Sequence, residues 1–147
     1  YSLEGKLLWE LKGMSIIAIP TPFATKEHLI VASGYVLDPL IKPVYAIRPG
    51  AKGDISLKGD ETSNRHIAWC LKQAGPYHPT PIVAGDFLYV LYDRGFLSCW
   101  EAKTGKPVYE RKRLGGSGST ASPIAYRDHL LCTNEDGLTF LTPAGRD

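Results

Sequence analysis

No apolar run in this 147-residue chain approaches the ~20 residues that an α-helix needs to cross a bilayer. Helical periodicity is missing too. No stretch sustains a 3.6-residue repeat, and 11 prolines with 15 glycines interrupt the chain too often for long helices. Three cysteines, Cys70, Cys99 and Cys132, cannot form a fully paired disulfide framework, and no Cys-x-x-Cys occurs. They read as small buried apolar residues and leave the redox compartment open. A net charge of only +2 excludes a nucleic-acid footprint or an acidic tail. The one basic cluster, Glu110-Arg111-Lys112-Arg113, suits a solvated strand edge that discourages sheet pairing.

What the chain does have is repetition. Gly5-Lys6-Leu7-Leu8-Trp9 is echoed by Gly105-Lys106-Pro107-Val108-Tyr109, with a degenerate copy, Arg65-His66-Ile67-Ala68-Trp69, between them. A proline motif follows each aromatic: Pro20-Thr21-Pro22, Pro79-Thr80-Pro81 and Ala121-Ser122-Pro123. Six residues after Pro22, Pro81 and Pro123 begin the runs His28-Leu29-Ile30-Val31-Ala32, Phe87-Leu88-Tyr89-Val90-Leu91 and His129-Leu130-Leu131-Cys132. A further apolar run follows each, around Tyr45, Cys99 and Phe140. The prolines lie 59 and then 42 residues apart. The shorter period is that of a four-stranded propeller blade, roughly 40–50 residues. The longer one is the same unit with two insertions, residues 35–43 and 50–65.

The expected fold is therefore all-β: a β-propeller fragment of four-stranded antiparallel blades, about three blades' worth. Residues 1–13 read as an outer strand of a preceding blade, 14–73 as a blade with insertions, 74–114 as a blade and 115–147 as an incomplete one. Propellers close with about four to eight blades, so a longer parent is expected, and the open faces of the isolated piece favour self-association. Turn residues stand where strands must reverse, at Gly85-Asp86, Asp93-Arg94-Gly95 and Asp136-Gly137. The unbroken apolar run Phe87 to Tyr92 suits a strand covered on both faces.

The segment Cys99-Trp100-Glu101-Ala102-Lys103-Thr104-Gly105-Lys106-Pro107-Val108-Tyr109 resembles the tryptophan-docking motif of pyrroloquinoline-quinone-like (PQQ-like) repeats, Ala-x-Asp-Ala-x-Thr-Gly-Lys-x-x-Trp. Cys99, Glu101 and Tyr109 depart from it. The first copy keeps Gly5, Lys6 and Trp9, and the middle copy keeps only Trp69. The resemblance implies seven or eight blades. It gives Gly5, Trp9, Trp69, Thr104, Gly105 and Tyr109 a structural docking role, in which a ring burying ~150–250 Å² clamps adjacent sheets. Ligand stacking is the competing reading for the tryptophans, and it competes best at Trp100, which does not recur.

By the same resemblance the chain is similar to non-catalytic propeller scaffolds of the bacterial envelope, such as the propeller lipoprotein of the barrel-assembly machinery. That implies a periplasmic or secreted location and no cofactor. The implied partners are other proteins or envelope ligands, together with neighbouring blades of the parent chain; nucleic acid and a membrane span are not among them. The alternative within the family is a quinoprotein dehydrogenase oxidising alcohols or sugars with PQQ beside Ca²⁺. That chemistry needs a carboxylate base and oxygen ligands for a hard cation, and no such set is visible in these repeats. The adjacent bonded cysteines that PQQ-dependent alcohol dehydrogenases carry are absent as well. A sensory or docking domain of a larger enzyme is a third reading.

No catalytic or metal-ligating set can be nominated. His28 and His129 share a repeat position with Phe87, which marks a structural slot. Gly116-Ser117-Gly118-Ser119-Thr120-Ala121 mimics a phosphate loop but is followed by Ser122-Pro123 and a strand, not a helix. His66 and His78 have no acid or nucleophile partner at a suggestive spacing. The remaining candidates are the loops leading into the innermost strands, where Tyr77, His78, Thr80, Ser119 and Thr120 would form a channel-rim binding site. Prolines fix the backbone around Tyr77 and His78, and Tyr77 capping the core is the competing reading. Residues 50–65 carry charges of alternating sign, Lys52, Asp54, Lys58, Asp60 and Glu61, without calcium-loop spacing. They read as a partner-binding flap or a solvated excursion.

Overall fold

The computed structural model describes residues 1–146. It is all-β: thirteen strands, and no helix among the described residues. Residues 1–18 and 22–75 form one compact unit; residues 19–21 and 76 onward form a second.

In the first unit, β1 (Trp9–Glu10) stands apart from a four-stranded antiparallel sheet of β2 (Phe23–Ala24), β3 (Leu29–Ala32), β4 (Val44–Ile47) and β6 (Ile67–Leu71). Every residue of β4 is buried, as a central strand covered on both faces requires. The insertion 50–65 is not a free excursion. Its short strand β5 (Gly53–Asp54) pairs in parallel with β1, Trp9 opposite Gly53. The Gly53 N–H donates to the Leu8 carbonyl at 2.9 Å and the Ile55 N–H to the Glu10 carbonyl at 3.0 Å. The reason lies in Ile55, only 1% exposed, which joins Tyr45, Ile47, Ile67 and Cys70 in the core with Trp9 and Leu57 packed around it. The charges that make this segment look solvated alternate with the apolar residues that hold it down.

In the second unit, β7 (Ile82–Ala84), β8 (Phe87–Tyr92), β9 (Phe96–Glu101) and β10 (Pro107–Arg113) form a four-stranded antiparallel meander. A second meander has three strands: β11 (Ile124–Tyr126), β12 (His129–Thr133) and β13 (Thr139–Pro143). β8 and β9 pair residue for residue from Phe87 opposite Glu101 to Tyr92 opposite Phe96, and their middles are fully buried. Tyr89, Leu91, Leu97 and Cys99 from these strands meet Leu130 and Cys132 of β12 in one core. Each such side chain contributes roughly 1.5–3 kcal/mol by leaving water. The two-residue turns joining β7 to β8 and β11 to β12 place Gly85 and Arg127 in the left-handed region, at φ 57° and 54°. Hairpin twist demands that conformation at this turn position, whatever residue stands there.

The basic run lies on β10, which among the described residues pairs only with β9, and two register shifts interrupt the ladder. Arg111, Lys112 and Arg113 are exposed and lie over the rings of Tyr92, Tyr109 and Phe96 at 5.9, 4.2 and 5.3 Å. Bulges and cations together blunt this edge against further pairing. Burial pushes the Cys70, Cys99 and Cys132 thiols up to about 11, so all three are inert at neutral pH.

Candidate functional site

The two Gly-Lys turns are built alike. At the Thr-Gly turn, Thr104 Oγ1 donates to Glu101 Oε2 at 2.8 Å, the Gly105 N–H donates to the Glu101 carbonyl, and Gly105 adopts φ 69°. At the first copy the Gly5 N–H donates to the Ser2 carbonyl, the Lys6 N–H to Ser2 Oγ, and Gly5 adopts φ 79°. Both turns release the chain into a strand whose aromatic, Tyr109 or Trp9, packs partly buried against its core cluster. Trp69 and Trp100 are 6% and 4% exposed, too enclosed to stack on a ligand.

The five rim candidates fall in the second unit, and three of them, Tyr77, His78 and Ser119, are tied to one hairpin. Tyr77 and His78 are half-buried between the buried prolines Pro76 and Pro79, their rings 4.0 Å apart. Asp93 holds this loop from the turn between β8 and β9. Its carboxylate accepts the Tyr77 N–H at 2.9 Å and the His78 N–H at 3.1 Å, and it contacts His78 Nδ1 at 2.6 Å. A carboxylate is an acceptor, so this bond places a proton on Nδ1 and leaves Nε2 for another partner. His78 is 37% and Asp93 23% exposed at the side chain.

The backbone of Asp93 holds the next loop. Its carbonyl accepts the Ser119 N–H at 2.9 Å, and Gly118 passes so close that any side chain there would collide with that carbonyl. Thr120 Oγ1 donates to Glu135 Oε1 at 2.7 Å, and the Ser117 N–H donates to Asp136 Oδ2 at 2.8 Å. Ser119 is buried at 3% exposure and positions backbone more than it presents a hydroxyl. Among the described residues, no hydroxyl or thiol is hydrogen-bonded to His78. The arrangement is a carboxylate-oriented imidazole on a proline-stiffened loop, with Nε2 available to a hydrogen-bonding partner.

Thr80 belongs to a different feature. The Thr21 N–H donates to Thr80 Oγ1 at 3.0 Å, and the Thr80 N–H donates to Ser122 Oγ at 2.9 Å. These are the residues preceding the three repeat prolines, so equivalent positions of successive repeats are bonded in a row.

Spacing alone missed Asp93 as the partner of His78. One signal was present: Ser33, Asp93 and Asn134 each stand one residue past the second strand of their sheet. Ser33 does the same work in the first unit, its Oγ accepting the Ser15 N–H at 2.9 Å. A polar residue at a fixed offset in three repeats is the mark of a loop anchor.

No protein-family model matches the chain, and no curated protein matches it. Among solved structures, the chain is similar to the computationally designed Ika4 protein, with a TM-score of 0.49 and 13% identity over 96% of this chain and 99% of that one.

Proposed function

We propose that these sheets are blades of a PQQ-like β-propeller serving as a non-catalytic scaffold for protein or ligand binding in the bacterial envelope. Its binding surface is the rim around Tyr77, His78 and Thr120, with Ser119 holding the loop from beneath and Thr80 in the adjoining hydroxyl row. The observation that carries this reading is the bonded row Thr21–Thr80–Ser122. Within the second unit, residues 59 and 42 apart in sequence are bonded at the positions preceding their prolines, as the innermost strands of propeller blades would place them. The Asp93 anchor supports the assignment of the rim, because recognition needs side chains fixed in advance of the partner.

The test is a calorimetric titration of the protein with PQQ in the presence of Ca²⁺, alongside photo-crosslinking from position 77 in bacterial envelope extract. The scaffold reading expects no heat at high micromolar cofactor, and a discrete crosslinked species that disappears in His78→Ala. Stoichiometric PQQ binding would replace it with the quinoprotein reading.

A further inference from the structure

The two insertions that lengthen the first repeat do not project independently. Residues 35–43 contribute Leu40, Ile41 and Pro43 to the wall of a cavity of about 300 Å³, and residues 50–65 contribute Ser56, Leu57 and Glu61 to the same cavity. Its base is the cross-strand pair Tyr45 and Cys70 on β4 and β6, beside Lys72, which directly follows β6. The volume falls at the small end of ligand sites, and an apolar wall with a few polar groups is their usual lining. The 42-residue repeat has neither insertion.

The polar groups differ in how far they are already engaged. Tyr45 Oη donates to the Gly13 carbonyl at 3.3 Å. Glu61 Oε2 accepts the Lys58 N–H within its own turn. Lys12 is held by two carboxylates, Glu10 at 3.2 Å and Asp54 at 3.1 Å. Lys72 is different. It donates to the Gly59 carbonyl at 3.4 Å, and its carboxylate partner, Asp60 at 3.3 Å, is a fully exposed side chain; such a pair exchanges readily with water or a competing anion. Ser56 Oγ accepts the Lys12 N–H at 2.8 Å, and its hydroxyl is engaged with the Asp54 carboxylate. Lys72 is therefore the readily released polar group at this cavity, a cationic donor beside an apolar wall.

We propose that this cavity is a binding site for a small carboxylic acid with an apolar tail or ring. The tail lies against Ile41, Leu57 and Tyr45, and Lys72 takes the carboxylate, displacing Asp60. The site is independent of the rim on the second unit and stands or falls separately from the scaffold reading.

The probe is octanoate, with 1-octanol as its neutral counterpart. Cys70 in the base of the cavity reports occupancy through its alkylation by N-ethylmaleimide at pH 9, followed by peptide mass spectrometry, with Cys99 and Cys132 as internal controls. Octanoate is expected to slow alkylation of Cys70 alone. Lys72→Gln should weaken octanoate at least fivefold without changing 1-octanol, and Ile41→Asp, on an exposed loop, should weaken both. Methyl chemical shifts of Leu40, Ile41 and Leu57 give a second readout should Cys70 prove unreactive. No protection and no methyl shift at 5 mM octanoate would overturn the proposal, as would equal octanoate affinity in wild type and Lys72→Gln.

Discussion

Replacing Asp93 by alanine should release the rim loop while leaving the sheets intact. The carboxylate accepts three hydrogen bonds, two from the backbone N–H groups of Tyr77 and His78 and one from His78 Nδ1. Charge-assisted bonds of this kind contribute roughly 1.5–3 kcal/mol each when well buried. Asp93 is partly exposed, and water can replace some of what is lost, so the sum discounts to about 3 kcal/mol for local opening. At 1.4 kcal/mol per decade this is roughly a hundredfold loss of hydrogen-exchange protection at the Tyr77 and His78 amides, measurable by NMR. His78→Ala removes only the ring contact and keeps both backbone bonds, so its loss should stay below tenfold. Asp93→Asn, retaining one acceptor oxygen, should fall between them. The reasoning fails if Asp93→Ala leaves both amides within fivefold of wild type, or if His78→Ala exposes them more than Asp93→Ala does.

Gly118→Ala and Gly75→Ala each drive a Cβ into a backbone carbonyl, of Asp93 and Ser33 respectively. Both should cost several kcal/mol in urea denaturation, whereas Gly137→Ala, strained by φ 80° but in open space, should cost about 1–2 kcal/mol. Ile55→Ala tests whether the insertion is part of the core. At 1% exposure it should destabilise by about 2–5 kcal/mol, and a change under 0.5 kcal/mol would mean the segment is not docked. Alkaline pH should weaken the fold. The buried thiols are raised from 9.0 to about 11, and Tyr45, Tyr89 and Tyr92 from 10.0 to about 12, in each case chiefly by burial. The native state therefore holds protons that the unfolded chain gives up. Stability should be full below pH 9 and decline as pH rises through 9 to 12, by up to ~1.4 kcal/mol per pH unit for each such group; a urea midpoint equal at pH 8 and pH 10.5 would refute this.

Sequence alone determined where strands run and where they turn. The run Phe87 to Tyr92 became β8, Gly85-Asp86 and Asp93-Arg94-Gly95 became turns, and the two Gly-Lys steps became positive-φ reversals ahead of a packed aromatic. These are short-range matters: side-chain burial with period two and the steric freedom of glycine act within a few residues, so they are written locally. It also made Thr21, Thr80 and Ser122 equivalent, through their prolines. Tertiary structure alone decided what these pieces touch. His78 lacks an acid at any suggestive spacing because its acid lies 15 residues on, beyond two strands and in a hairpin turn. Residues 50–65 read as polar because Ile55 and Leu57 are diluted by charges, and only the apolar surface that Trp9, Tyr45 and Ile47 offer makes their burial favourable. The hydroxyl row and the cavity between two insertions exist for the same reason. Each joins groups whose attraction is too weak to order a chain but is fully expressed once the sheets have already brought them together.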